Sequence, residues 1–263
     1  MKKLVLLLFI ASFSVVFCQN QKLTSLKIDS IRFDGDAFLG YDSFGFYYTI
    51  KNNVFSKINT RDALEYKNIS LGKITKVDLQ NPLKIVLFYE NFNTVIVLDN
   101  QLNETQKINF SEREIPIVAS AIGIASQNQF WIYNSMNQQL GLYDYLSNNY
   151  KTISVPFTES IKNYSSDFNV FHWVDNKNNW YVCDIFGKII SKGIIPDFDS
   201  IAIINENQII YSKDSVLTLY DLKKGKKTEI KISEKTFKKF YYKDQILSIF
   251  TSTGITNYKI ILP

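Results

Sequence analysis

IVLFYENFNTVIVLDNQLNETQKINF (85–110) holds an apolar run ending in tyrosine, a polar turn, an apolar run ending in aspartate, and a third run. Two further stretches repeat this order: FWIYNSMNQQLGLYDYLSNNYKTISV from Phe130 and IIYSKDSVLTLYDLKKGKKTEIKI from Ile209. Tyr89 precedes Asp99 by 10 residues, Tyr133 precedes Asp144 by 11, and Tyr211 precedes Asp221 by 10. From each of these aspartates to an isoleucine of the following run (Ile108, Ile153, Ile230) is 9 residues every time. Short runs rich in Ile, Val, Phe and Tyr, separated by Asn, Asp, Gly, Ser and Lys, read as strands and turns, and helical periodicity is nearly absent.

The unit extends in both directions. FGFYYT (44–49) opens an earlier copy in which Tyr48 precedes Asn59 by 11 residues; Asn59 to Asp99 is 40 residues and Asp99 to Asp144 is 45. Asp144 to Asp221 is 77, close to two units, so a degenerate copy lies between, built from FNVFHWV (168–174), NWYVCD (179–184) and GKIISKGI (187–194). FKKFYY (237–242), QILSIF (245–250) and GITNYKIIL (254–262) form the last copy, which lacks a fourth strand. LTSLKIDSIRF (23–33) is a strand without a copy of its own. Strands repeating at about 40 residues predict an all-β fold, a β-propeller. Six blades are expected, with five or seven as alternatives, the N-terminal strand closing the last blade beside residues 254–262 and so removing an open sheet edge.

The units resemble those of secreted YVTN-type and TolB-type propellers, and the chain after its leader resembles envelope propellers of Bacteroidota. Neither a WD pair nor a kelch double glycine is present, and the resemblance carries over no functional residue.

Lys2 and Lys3 precede an apolar core at 4–16 and a processing site at Val16-Phe17-Cys18. This predicts a secretory signal peptide over 1–18 and a single propeller domain over 19–263. Lipid attachment at Cys18 is the alternative, but acylated cysteines follow small residues and Phe17 is bulky, so cleavage that leaves Gln19 first is favoured. No later segment has the ~18 consecutive apolar residues of a spanning helix. Export to the periplasm or the periplasmic face of the outer membrane is expected, with an extracellular location as the alternative.

Losing Lys2 and Lys3 with the leader leaves 28 basic against 25 acidic residues, a net charge of +3, and only Arg32, Arg61 and Arg113 are arginines. That balance argues against nucleic acid as a partner. His172 is the only histidine, which rules out a zinc site built on several His ligands, and no nucleophile elbow, P-loop or dinucleotide motif occurs. Cofactors and catalytic residues are therefore assigned to none. Asp99, Asp144 and Asp221 recur at matching places, which is turn chemistry. FDGDAFLGYD (33–42) lacks the ligand spacing of a calcium loop. Two features stand outside the repeat. His172, Trp173, Trp180 and Tyr181 form an aromatic cluster that suits sugar stacking or a protein interface, although packing between blades is the favoured role. LKKGKKTEIKISEKTFKKFYYK (222–243) has nine lysines against two glutamates, and its Lys223, Lys224, Lys226, Lys227, Lys238 and Lys239 would give the ring a positive edge. The expected function is non-enzymatic binding or scaffolding of another envelope protein. A carbohydrate-active hydrolase or lyase with carboxylates over the channel, and a surface lipoprotein capturing an extracellular ligand, are the alternatives.

Overall fold

The strand runs quoted above form six separate sheets arranged in a ring. A computed structural model describes residues 22–33, 35–112 and 117–262; the expected signal peptide and Cys18 lie outside the described residues. Two strands come first, β1 (Lys22–Thr24) and β2 (Leu26–Arg32). Blade 1 is β3–β6 (Ala37–Tyr41, Tyr47–Lys51, Val54–Ile58, Ala63–Tyr66), and blade 2 is β7–β10 (Lys76–Asp78, Ile85–Tyr89, Thr94–Leu98, Glu104–Asn109). Blade 3 is β11–β14 (Ala119–Ile124, Gln129–Asn134, Gln139–Asp144, Asn149–Thr152), and blade 4 is β15–β18 (Ile161–Ser166, Val170–Asp175, Asn179–Asp184, Ile189–Ile194). Blade 5 is β19–β22 (Ser200–Asn205, Gln208–Lys213, Val216–Asp221, Lys226–Lys231), and blade 6 opens with β23–β25 (Lys239–Lys243, Ile246–Phe250, Gly254–Lys259). The first strand of each blade faces the axis: β7 neighbours β11, β11 neighbours β15, β19 neighbours β23, and β23 neighbours β3.

The chain is a six-bladed β-propeller.

Blade faces pack against blade faces, so the second and third strands are covered on both sides. In β8 and β9 every residue is buried. One apolar cluster fills each interface, from Tyr48, Phe55 and Leu87 between blades 1 and 2 to Leu219, Phe240 and Ile249 between blades 5 and 6. The interface closing the ring, blade 6 on blade 1, has the smallest: Phe38, Phe250 and Ile255. Polar bonds reinforce it. Asn257 donates to Asp29 Oδ1 (2.7 Å) and the Tyr41 hydroxyl (2.8 Å), and accepts from the buried Ser248 hydroxyl (2.7 Å).

β2 pairs antiparallel with β25, from Leu26 opposite Lys259 to Arg32 opposite Gly254, and supplies blade 6 with its fourth strand. The expected seam is present. The N-terminal run, however, makes two strands rather than one. Before β2, β1 lies parallel to β22 and gives blade 5 a fifth strand, and the Ser25 hydroxyl between them bonds to the Lys231 carbonyl. A single segment thus straps the outer edges of two blades.

The recurring aspartates act as turn formers. Asp99 Oδ1 accepts the amides of Gln101 and Asn103, Asp144 Oδ1 those of Leu146 and Ser147, and Asp221 Oδ1 that of Lys224. Asn59 does the same in blade 1 and Asp184 in the degenerate blade 4. The Asn103 side-chain amide on Asp99 (3.1 Å), together with these backbone bonds, holds the carboxylates of Asp99, Asp144 and Asp221 below their usual pKa. Within 33–42, Asp36 and Asp42 likewise accept backbone amides, of Asn52 and of Phe44 and Phe46. Tight hairpins at Asn52-Asn53, Asp214-Ser215 and Asp244-Gln245 place both central residues at positive φ, the two-residue turn whose twist matches that of the strands.

Candidate functional site

The aromatic cluster of blade 4 is interior. Trp173 is 3% exposed and Trp180 0%. Trp173 stacks between Phe157 (4.2 Å) and Tyr181 (5.1 Å) and packs toward blade 3 with Phe171 and Trp131. Trp180 points the other way, into the blade 5 interface with Val174, Ile209 and Tyr211. His172 is half-buried 6.0 Å from the Trp180 ring; its Nδ1 is buried without a partner among the described residues, and desolvation lowers its pKa. The two tryptophans therefore offer no stacking surface to a ligand; alternating side chains along β16 and β17 send them into the two neighbouring interfaces. Cys183 is buried in the same core, and desolvation pushes its thiol up to about 12. Native protein at pH 8 should give no reaction with a thiol-specific disulfide reagent, and one equivalent per Cys183 after denaturation; modification at the native rate of a free thiol would contradict this burial.

The lysines of 222–243 do not form one patch. Lys223 and Lys224 lie in the outer turn of blade 5, where Lys224 pairs with Asp221 (3.5 Å), and Lys226 and Lys227 lie on the outer strand β22. Lys238 covers the Phe250 ring at 5.2 Å and Lys239 begins the axial strand β23. The chain crosses from rim to axis between the two groups, which dissolves the expected positive edge.

A different surface emerges on the face formed by the second-to-third-strand turns and the loops between blades. Ile69, Phe92, Val118, Met136 and Val155 are exposed there, Met136 by 66% and Val155 by 69%. They follow one another across blades 1 to 3. Phe92 packs over Gly72, three residues beyond Ile69. Asn93, at φ 48°, donates to Ser111 Oγ and the Ile117 carbonyl and accepts from the Ala119 amide, fixing Phe92 beside Val118. Asn134 Oδ1 accepts the amides of both Val118 and Met136 (3.1 and 3.2 Å). Gln139 reaches the Ser154 carbonyl (2.9 Å), bringing Val155 alongside. The loop backbones are thus fixed, and their five apolar side chains lie exposed along one face of blades 1 to 3. In sequence these five are isolated hydrophobes in polar loops, and only the asparagines beside them hint at fixed geometry.

Inward of the stripe a cleft of about 540 Å³ opens between blades 3 and 4, lined by Glu90, Ser120, Tyr133, Gln138, Lys162 and Tyr164 among others. Tyr164 forms its axial wall. The hydroxyl accepts the Ile122 amide (3.2 Å), and burial raises its pKa. On its other side the Lys76 ammonium lies 4.5 Å from the ring centroid, having crossed from blade 2 to blade 4. Asp78, at the far end of β7, spends its carboxylate on the amides of Gln80 (2.9 Å) and Ile124 (2.8 Å), and desolvation raises its pKa. No cluster of three His, Cys, Asp or Glu side chains that could hold a metal occurs among the described residues, and no helix there is long and apolar enough to cross a membrane.

Searches for a matching protein family and for a matching curated protein both found none. Solved structures share the fold. Virginiamycin B lyase from Staphylococcus aureus superposes with a TM-score of 0.58 at 13% identity, over 85% of this chain and 80% of the lyase. BamB from Moraxella catarrhalis gives 0.51 at 9% identity, over 90% of this chain and 100% of its own. The extracellular domain of a one-component system from B. thetaiotaomicron gives 0.52 at 13%, over 83% of this chain and 32% of that longer one. The likeness is one of fold. Propellers of this kind include a lyase, a BamB protein and the extracellular domain of a one-component system.

Proposed function

We propose that this propeller is a non-enzymatic binding or scaffolding protein of the cell envelope, and that another envelope protein docks on the face carrying Ile69, Phe92, Val118, Met136 and Val155. The observation carrying this reading is the stripe itself: aligned apolar side chains left in solvent on loops whose backbone is pinned by asparagine side chains. A preorganised apolar patch beside a polar cleft is the composition of an interface core with its rim. Its single histidine also bears on enzymatic alternatives. One lyase structure is described as a catalytically inactive histidine-to-alanine form, whereas His172 here lies 6.0 Å from the Trp180 ring and does not line the cleft. The leader expected over 1–18 supports an envelope address.

Affinity purification from envelope fractions tests the reading. The unaltered protein should retain a stoichiometric partner, and a Met136→Asp/Val155→Asp double variant should lose it, with affinity down by about tenfold or more. Both positions are exposed, so the variant should melt within about 2 °C of the parent. An identical partner profile from both proteins would overturn the docking face.

A further inference from the structure

The seam between blades 6 and 1 is incompletely filled. Its apolar cluster is the smallest in the ring, and a cavity of about 370 Å³ lies beside it, lined from both blades and from β2. Two tyrosines on its wall cross the seam in opposite directions. Tyr241 leaves β23 for blade 1, its ring 6.0 Å from that of Phe38 and within 2.5 Å of where a Gly40 Cβ would stand. Only glycine, here at φ +130°, lets a ring lie so close to the strand. Tyr41 leaves β3 for blade 6, where its hydroxyl accepts from Asn257 (2.8 Å). Ile28 and Ile246 add apolar surface. Asp42 and Asp244, also on the lining, belong to the turns between first and second strands, so the cavity lies toward the face opposite the docking stripe.

Charge on this lining is unequal. Asp29, Asp42 and Asp244 bring three carboxylates, and Lys243 the one cation. Asp42 is already spent: one oxygen accepts the amides of Phe44 and Phe46, the other the Tyr48 hydroxyl. Asp29 accepts from Asn257 through Oδ1 (2.7 Å) and keeps Oδ2, while Asp244 has no hydrogen-bond or ion-pair partner among the described residues. Asn257 is neutral, so it fixes the Asp29 carboxylate without balancing it. Burial raises the pKa of Tyr41, and that of Tyr241 to about 12, so both rings stay un-ionised at neutral pH. The π-faces of such rings attract cations. A cavity of this size, with aromatic and aliphatic walls and a few convergent polar groups, has the makeup of a small-molecule site. Its surplus of carboxylates sets the sign of the ligand.

We infer that the seam holds a binding site for a small organic cation, an ammonium group on an apolar body. The ammonium sits between Asp29 and the two tyrosines, and the body rests on Ile28 and Ile246. The site uses none of the residues of the docking stripe and needs no protein partner. A primary and a quaternary ammonium share the required chemistry.

Titration calorimetry at low salt with benzylamine and with choline tests this, each beside its neutral counterpart, benzyl alcohol and 3,3-dimethylbutan-1-ol. At least one cation should bind one-to-one and raise Tm, with its neutral counterpart about tenfold weaker or more. A preference for benzylamine assigns the contact to hydrogen bonds with the carboxylates; a preference for choline assigns it to the rings. Asp29→Asn keeps an acceptor for Asn257 and should weaken the responding cation by about tenfold. Asp244→Asn, in an exposed turn at φ 50° that asparagine tolerates, should weaken it by about threefold. Lys243→Met, which removes the competing cation, should strengthen it by a similar factor. No response to either cation at about 10 mM, a concentration that would reveal millimolar affinity, overturns the site. Equal binding of the neutral counterparts does so too, as does binding left unchanged by Asp29→Asn. If Asp29→Asn melts below the parent, Asp244→Asn decides in its place.

Discussion

Replacing Trp180 with alanine should cost about 3–5 kcal/mol and lower Tm by roughly 6–20 °C for a chain of this length. The side chain is fully buried between blades 4 and 5, against Val174, Ile195, Phe198 and Ile209, and leaves a cavity that the rigid sheets on either side cannot close. Its Nε1 has no acceptor among the described residues, so its contribution is one of volume and dispersion rather than hydrogen bonding. Trp180→Phe should therefore lose much less, about 1–2 kcal/mol, since it gives up ring volume but no bond. Thermal denaturation of the two variants separates core from site. A ligand platform would show the reverse pattern, with alanine melting like the parent, and that result would return the aromatic cluster to the list of binding residues.

Deleting residues 22–32 should abolish the cooperative melting of the monomer, a loss comparable to the whole stability of a domain. The deletion strips the fourth strand from blade 6 and the fifth from blade 5, and removes Asp29 from the bonds of Asn257. What remains must hold the ring at its least apolar interface, with β25 left as an open edge prone to pairing between molecules. Size-exclusion chromatography should show soluble aggregates, and a peptide covering 22–33 supplied in trans should restore part of the monomer. A point variant probes the same seam. Gly254 lies at φ +153°, and any Cβ there would collide with the Ile31 carbonyl of β2, so Gly254→Val should cost about 2–4 kcal/mol. A deleted protein melting within about 3 °C of the parent would mean that the blade 6–1 interface closes the ring unaided.

The repeat was legible because second and third strands, buried on both faces, leave unbroken apolar runs, and because blades 1 to 5 each place an Asp or Asn at the end of the third strand. Closure by the N-terminal strand followed from counting strands. The axial strands were harder to see. IKNYSS (161–166) is half polar because it borders the channel, and KVD (76–78) is only three residues long. The parallel pairing of β1 with β22 left no trace, since three residues carry no period. Site residues fared worse for a related reason. Lys76 and Tyr164 come from blades 2 and 4 and share no local motif; ring geometry alone brings them together. The lysine-rich segment misled because a run continuous in sequence travels from rim to axis, so neighbours in the chain face different surroundings.

The strap has a consequence for how the molecule is made. The strands β1 and β2 precede all six blades in the chain, yet their partners at Lys226–Lys231 and Gly254–Lys259 belong to the last two. Blades 1 to 5 can assemble their own four strands, but the ring has no means of closing until β25 is available. Contacts spanning the entire chain fold slowly and keep an early segment waiting unpaired, in need of protection until its partners arrive. Without β25, β2 would have nothing to join, so closure doubles as a check that the sixth blade is present.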